Sequence, residues 1–207
     1  ANVKVHADQQ KATLYGDRLT ASTAEQKVEV YGTPETLARV VRADGVITGE
    51  HFIFEQTRES FRAVGPGAAD LDVTQKDGSN LDVVVNWRDE MSYDAPRDEL
   101  TFAGAVDATT TNATEKTHLT AQQLKLIFTK PVAGDATAEV PPSQPQPDAP
   151  AGDGELQQKP FGDRDLKTAV ASGDVKFEAQ SINKLRPDQP MTRLLLTGPR
   201  VVVDNLA

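Results

Sequence analysis

The sequence predicts an all-β fold made of repeated antiparallel hairpins, and three observations lead to that prediction. Val and Thr are each present twenty times, and such β-branched residues favour a pleated, half-buried surface. Most apolar residues stand in short runs that alternate with polar ones, which is typical of strands with one buried face. Glycines recur at a fixed spacing, with Gly16 and Gly32 sixteen residues apart and Gly49 and Gly65 also sixteen apart.

Three units share one register before their closing glycines, Gly32, Gly65 and Gly104. Apolar or Ala residues stand 13, 11, 4 and 2 positions before each glycine. The segments between the inner pairs are equally long and polar in the middle, so each unit is predicted to be a strand, a tight turn and a returning strand. These positions are Leu19, Ala21, Val28 and Val30; Phe52, Phe54, Phe61 and Ala63; and Met91, Tyr93, Leu100 and Phe102.

A fourth unit follows the same pattern but contains a long insertion. It opens with Leu124 and Leu126 and closes with Ala169, Ala171 and Gly173. Between them, residues 131–165 hold seven of the thirteen Pro and few large apolar residues, a composition that predicts a disordered loop. A looser fifth unit is predicted from Ile182 to Gly198. The chain is therefore predicted to be one domain, residues 1–207, interrupted by an acidic Pro-rich loop.

The stretch from Thr33 to Val41 is the one place where a helix competes with a strand. Its sequence TPETLARVV has a Pro near a possible first helical turn. A strand that leads into the Asp44-Gly45 turn preserves the succession of hairpins, and we prefer it.

Composition excludes several classes of function. The formal charge is −9 and there is no Cys, so a sequence-independent nucleic-acid surface, a thiolate nucleophile and a Cys-type metal site are all disfavoured. No stretch has the roughly 20 apolar residues of a membrane-spanning helix. Residues 131–165 contain seven acids and two bases, a charge of −5, so the remaining 172 residues carry −9 minus −5, or −4.

The repeats place one set of apolar residues on the same face of the predicted sheet. This face is either an ordinary core, the commoner meaning of an apolar stripe in a β-protein, or an open groove for acyl chains, and both place the same residues inside. The candidate groove residues are Leu19, Val28, Val30, Phe52, Phe54, Phe61, Met91, Tyr93, Leu100, Phe102, Leu124, Leu126, Leu194 and Leu196.

The repeat resembles the OstA-like, or LptA-like, family of lipopolysaccharide transport proteins. The resemblance rests on a small residue with a large apolar one three positions later, as in Gly16 and Leu19 or Gly49 and Phe52, and on the closing segments LTFAGAVDA (100–108) and AVASGDVKF (169–177). MSYDAPRDELTFAG (91–104) is the most family-like stretch.

The resemblance implies a curled β-jellyroll in the periplasm, with any signal peptide removed or outside this sequence. It also implies that lipid A acyl chains lie between the two halves of the sheet and that other OstA-like domains pair with its edge strands. No cofactor and no metal is implied.

Two alternatives stay open. One is a structural β-solenoid module whose interior is only core. The other is a carbohydrate-active β-helix enzyme, which needs two facing carboxylates; the candidates are Asp89, Glu90, Asp94, Asp98 and Glu99. Acidic residues in hairpin turns are usually solvated, and His51 and His118 have no second His at a ligand spacing. The lone Trp87 is predicted to be a core or rim aromatic.

Overall fold

A computed structural model describes residues 3–7, 12–74, 80–129, 165–181 and 193–204. Within these ranges the chain forms one antiparallel sheet of thirteen strands and no helix, which confirms the predicted all-β fold. The strands are β1 (Val3–Ala7), β2 (Ala12–Gly16), β3 (Arg18–Ser22), β4 (Lys27–Tyr31), β5 (Ala38–Arg42), β6 (Gly45–Glu55), β7 (Ser60–Thr74), β8 (Asn80–Trp87), β9 (Glu90–Asp94), β10 (Glu99–Thr111), β11 (Glu115–Thr129), β12 (Asp165–Ser181) and β13 (Arg193–Asp204).

The predicted hairpins form in the register that the repeat implies. In the first unit Leu19 lies opposite Val30 and Ala21 opposite Val28. The same pairing recurs between β6 and β7, between β9 and β10, and between β11 and β12. Residues directly opposite each other share a face of the sheet, so each unit presents its apolar pairs on one side.

Three of the closing glycines do not end their strands, contrary to the sequence-based picture of separate hairpins, whereas Gly32 follows the end of β4 as predicted. β7, β10 and β12 continue past Gly65, Gly104 and Gly173, where φ is +86°, +80° and +76°. The pairing register shifts beside Gly104 and Gly173. A left-handed residue at each point bends the strand, and we call the line of these bends the crease.

The crease divides the sheet into two half-sheets, because β6, β7 and β10 each pair with one short strand on one side of it and with a different short strand on the other side. Half-sheet I contains β3, β4, β9 and residues 51–55, 60–64, 99–103, 123–129, 165–172 and 200–204. Half-sheet II contains β1, β2, β5, β8 and residues 45–49, 67–74, 106–111, 115–121, 175–181 and 193–198.

The crease also explains why a small residue precedes a large one by three positions. Along a regular strand, residues on one face are two apart. Register shifts fall between Gly49 and His51 and between Thr120 and Gln123. One added residue therefore keeps both Gly49 and Phe52 on the inner face as the chain crosses from one half-sheet to the other.

The core lies along the inner side of the crease, where the two half-sheets meet. Phe52 and Phe102 from half-sheet I are fully buried in the same cluster as Val106 and Trp87 from half-sheet II. The Trp87 and Phe102 ring centroids are 5.5 Å apart, and the indole Nε1–H of Trp87 donates to the carbonyl of Gly65 at 3.1 Å. Trp87 is a core residue, as predicted.

Other sequence predictions have mixed outcomes. Ala38–Arg42 is a strand, β5, and it turns through Asp44 into β6, so the preferred alternative is confirmed. The fifth predicted unit does not repeat the first four. Its Leu194 and Leu196 pair with Ala179 and Phe177 in half-sheet II, whereas the apolar pairs of the other units lie in half-sheet I. Its predicted start, Ile182, and residues 131–164 of the predicted loop lie outside the described residues.

Candidate functional site

The inner face runs from buried residues at the crease to less buried ones toward the hairpin turns. Among the predicted groove residues, those buried, with at most 5% exposure, are Val30, Phe52, Met91, Leu100, Phe102 and Leu124. Those half-buried against this core are Leu19, Val28, Phe54, Phe61, Tyr93 and Leu126. Leu194 and Leu196 on β13 are 48% and 40% exposed. The structure therefore places twelve of the fourteen residues in or against one core and puts Leu194 and Leu196 outside that cluster, on the inner side of β13.

Aromatic rings form one part of the half-buried surface of half-sheet I. Phe54 and Phe61 lie opposite each other on β6 and β7 with ring centroids 4.8 Å apart. Phe61 also stacks on the buried Phe52, with centroids 5.6 Å apart. Such contacts hold the rings in place, so their exposed edges offer a preformed apolar surface.

Within the described residues, the inner face is uncovered at β13, the last strand in the order of the sheet. Val203 on this face is 52% exposed, like Leu194 and Leu196 beside it. On the outer face, Leu195 and Val202 are 57% and 44% exposed. An edge strand with exposed apolar residues on both faces is a site for pairing with another chain.

The sequence reasoning missed the wall contributed by half-sheet II. Its half-buried members pack on the same core and are Val5, Ile47, Val83 and Leu119. The repeat register could not find them, because it follows only the strand segments before each crease glycine. Simple alternation was the available signal, as in Val83, Val85 and Trp87 on β8.

The outer face of half-sheet I carries several ion pairs. Four of the five carboxylates considered for catalysis lie in ion pairs: Asp89 with Arg88 at 3.0 Å, Glu90 with Arg62 at 3.2 Å, Asp94 with Arg97 at 3.7 Å and Glu99 with Lys125 at 3.0 Å. Asp98 is buried in the turn between β9 and β10 with φ +52°. These groups stabilise turns and cross-strand rows.

A second polar cluster joins three strands at the opposite edge of half-sheet I. Tyr31 on β4 stacks on His51 of β6, with ring centroids 4.1 Å apart, and the Arg18 guanidinium from β3 lies 4.1 Å from the Tyr31 centroid. Glu29 pairs with Lys27 and accepts from the Tyr31 hydroxyl. Hydrogen bonds from Lys27 and Tyr31 lower the pKa of Glu29 to about 2, and burial lowers the pKa of His51.

The outer face of half-sheet II carries a polar group near β13. His118 Nε2 lies 3.1 Å from an Asp107 carboxylate oxygen, and Arg193 Nε lies 2.9 Å from Glu178. Hydrogen bonds from Gln180 and Arg193 lower the pKa of Glu178. A concavity of about 130 Å³ lies here, and one of about 200 Å³ lies beside the β3–β4 hairpin; both are lined mainly by polar side chains.

Within the described residues, no three His, Cys, Asp or Glu side chains converge as metal ligands. In the same part of the chain, no helix is long and apolar enough to span a membrane.

Comparison with known proteins yields a fold match and no sequence match. The solved structure of LptH, the LptA homologous periplasmic component of the lipopolysaccharide transport device of Pseudomonas aeruginosa, superimposes with a TM-score of 0.46 and 10% sequence identity. The chain is similar in fold to LptH. The match covers 69% of this chain and 100% of LptH. No protein-family model and no curated protein sequence matches the chain.

Proposed function

We propose that this protein is a non-enzymatic, periplasmic lipid-binding protein that takes part in lipopolysaccharide transport to the outer membrane. In this proposal, lipid A acyl chains lie between half-sheets I and II. The observation that carries it is the inner apolar face, which is buried at the crease, half-buried at Phe54 and Phe61 in half-sheet I, and exposed at Leu194 and Leu196 on the edge strand β13.

The chemistry of the two faces supports acyl binding over binding of a polar ligand. The inner face is apolar, whereas the outer face carries the ion pairs of Glu90 with Arg62 and Glu99 with Lys125. Burial of an acyl chain contributes about 0.8 kcal/mol per methylene. The choice of lipopolysaccharide among acylated lipids comes from the family-like segments 91–104 and 169–177.

The edges of the sheet support association with other domains of the same kind. The twelve-residue β13 lies at one end, and the five-residue β1 and β3 lie at the other. Unpaired backbone groups along such edges pair readily with an added strand.

A structural module with a closed core is the second candidate. The observation in its favour is the complete burial of six predicted groove residues, with Phe52 at 0% and Phe102 at 2% exposure. The two candidates differ in the role of the half-buried and exposed positions. Acyl chains contact these positions in a lipid-binding protein, whereas nothing occupies them in a structural module. A carbohydrate-active enzyme has less support, because the candidate carboxylates lie in turns and on the outer face.

Photo-crosslinking at matched positions tests the proposal. A benzophenone amino acid replaces Phe54 or Leu196 in cells that make lipopolysaccharide, and both positions are expected to capture lipid. The control position is Thr101, which lies on the outer side of β10 between the inner-face residues Leu100 and Phe102. Lipid captured at Thr101 as strongly as at Phe54, or at neither Phe54 nor Leu196, refutes the groove.

A further inference from the structure

The apolar and terminal charged residues of β13 are arranged symmetrically about the middle of the strand, an arrangement that we call the palindrome. The strand is RLLLTGPRVVVD, residues 193–204. When each residue is matched with the one equally far from the other end, Arg193 meets Asp204 and three Leu meet three Val. The matched apolar pairs are Leu194 with Val203, Leu195 with Val202 and Leu196 with Val201. The centre of the palindrome lies between Gly198 and Pro199.

The bend of β13 at this centre keeps every matched pair on one face. Leu194 and Leu196 lie opposite the inner-face residues Ala179 and Phe177 of β12, and Val201 and Val203 lie opposite Ala171 and Ala169. The register with β12 shifts between Ser172 and Val175. As a result, even-numbered residues face inward before the bend and odd-numbered residues face inward after it.

From this match we propose that β13 pairs antiparallel with β13 of a second copy of this chain, forming a closed, two-fold symmetric dimer. The assignment deepens the edge-strand part of the proposed function by naming the partner. Antiparallel self-pairing about the centre places each Leu opposite a Val of the other copy on the same face, and each Arg193 opposite an Asp204. In a two-fold symmetric contact every pair of residues occurs twice. Two Arg193–Asp204 pairs of opposite charge therefore form, one at each end of the paired strands.

The bent shape of the sheet is compatible with this symmetry. A two-fold axis along the bisector of the bend exchanges the two arms of β13, so half-sheet II of one copy continues into half-sheet I of the other. Both concave sides then point the same way. The exposed inner residues Leu194, Leu196 and Val203 become the middle of one apolar face shared by two copies.

Exposure and charge favour a second copy over other partners. Five of the apolar residues of β13 are 40–57% exposed, and a long apolar edge of this kind is normally covered. Arg193 is 62% exposed beyond its contact with Glu178, so its guanidinium can face an added carboxylate. The short edge strands β1 and β3 have no such self-complementary order.

A charge-exchange series measured by light scattering on delipidated full-length protein tests the dimer. The wild type is expected to reach a limiting mass of two chains as concentration rises. Leu195→Lys is expected to weaken dimerisation about tenfold or more, because the substitution disrupts two symmetry-related pairs. The double variant Leu195→Lys with Val202→Glu restores an opposite-sign pair at both places and is expected to recover the dimer. Both positions are exposed on the outer face.

The control is Thr20→Lys, an equal charge on the exposed edge strand β3, which is expected to leave the dimer unchanged. A wild type that stays monomeric overturns the proposal, as does failure of the double variant to recover. If the wild type grows beyond two chains and Thr20→Lys blocks this growth, β13 pairs head to tail with β1 and β3 of another copy. That result also overturns the proposal. None of these outcomes depends on lipid, so crosslinking at Phe54 succeeds or fails separately.

Discussion

Gly65, Gly104 and Gly173 stand where three long strands cross the crease, and all three have a positive φ. A polar side chain lies over each: Glu50 of β6, Asp89 of the turn between β8 and β9, and Gln122 of β11, respectively. The sequence shows these glycines as a repeat but does not distinguish the end of a strand from a bend within it, because glycine is common at both. Only the pairing of the residues beyond each glycine decides between the two.

At the crease, Gly104→Ala is expected to lower the free energy of unfolding by about 1–3 kcal/mol. The backbone there has φ +80°, and an added Cβ would lie 2.1 Å from the Asp89 carboxyl carbon. Urea denaturation of the variant and wild type measures the difference. Adding Asp89→Ala to this variant is expected to recover only the part due to the close contact.

Gly198→Ala is the matched control for that substitution. Gly198 has no positive φ, and the nearest atom to its added Cβ is the Arg200 carbonyl oxygen at 3.9 Å. Its effect on unfolding is expected to stay within about 0.5 kcal/mol. Equal effects of the two substitutions would contradict the assignment of Gly104 to a strained bend.

Among the elements, hairpins are the best predicted part of this fold. Their register followed from the offsets of apolar pairs, since residues opposite each other on neighbouring strands share a face. The partners of β1, β2 and β8 were not predicted, because the repeat has no equivalent of these strands. The order in which hairpins join, with β9 between β7 and β10 and β4 beside β6, depends on long-range pairing that local patterns do not encode.

The β3–β4 hairpin is expected to lose stability in acid through Glu29. The pKa of Glu29 is about 2 in the folded protein against an ordinary value of 4.5. Because the folded value is the lower one, the stabilising effect is complete above pH 4.5 and is lost as pH falls toward 2. Glu29→Gln should therefore flatten the decline of unfolding free energy between pH 5 and pH 2.

Hydrogen exchange of the β3 and β4 amides locates this effect. In the wild type their protection is expected to fall with pH over that interval, after correction for the intrinsic exchange rate, and in Glu29→Gln to change little. Glu25→Gln, an exposed carboxylate in the same hairpin turn, serves as the control and is expected to follow the wild type. Parallel curves for Glu29→Gln and the wild type would show that this carboxylate does not anchor the hairpin.

At the scale of the whole molecule, the sequence predicted a single apolar face, but mainly the residues from one of the two half-sheets that form it. The fourteen predicted residues lie mostly in half-sheet I, and the opposing wall with Ile47, Val83 and Leu119 emerges only when the sheet bends at the crease. The repeat also could not predict how deeply each residue is buried, because Phe52 and Phe54 occupy equivalent positions in it. Half-sheet II lies closest at the crease, so Phe52 beside the crease is buried and Phe54 farther from it is half-buried.

Affinity for acyl chains is expected to depend on their length far more than on their head-group charge. At about 0.8 kcal/mol per methylene, two added methylenes strengthen binding roughly tenfold or somewhat more. The outer faces carry ion pairs such as Glu90 with Arg62 and Glu99 with Lys125, and residues outside 131–165 sum to only −4, so a phosphorylated head group gains little from the protein's field.

Titration of the full chain with lipids of 8 to 14 acyl carbons, with and without a phosphate, measures both contributions. Kd is expected to fall at each step of length until the acyl chain exceeds the space between the half-sheets, and to change less than one such step when phosphate is removed. Phe54→Asp should raise Kd across the series, because a carboxylate at a half-buried position on the inner face must be desolvated beside the acyl chain. An affinity set by phosphate and insensitive to length would place the ligand on the polar outer face.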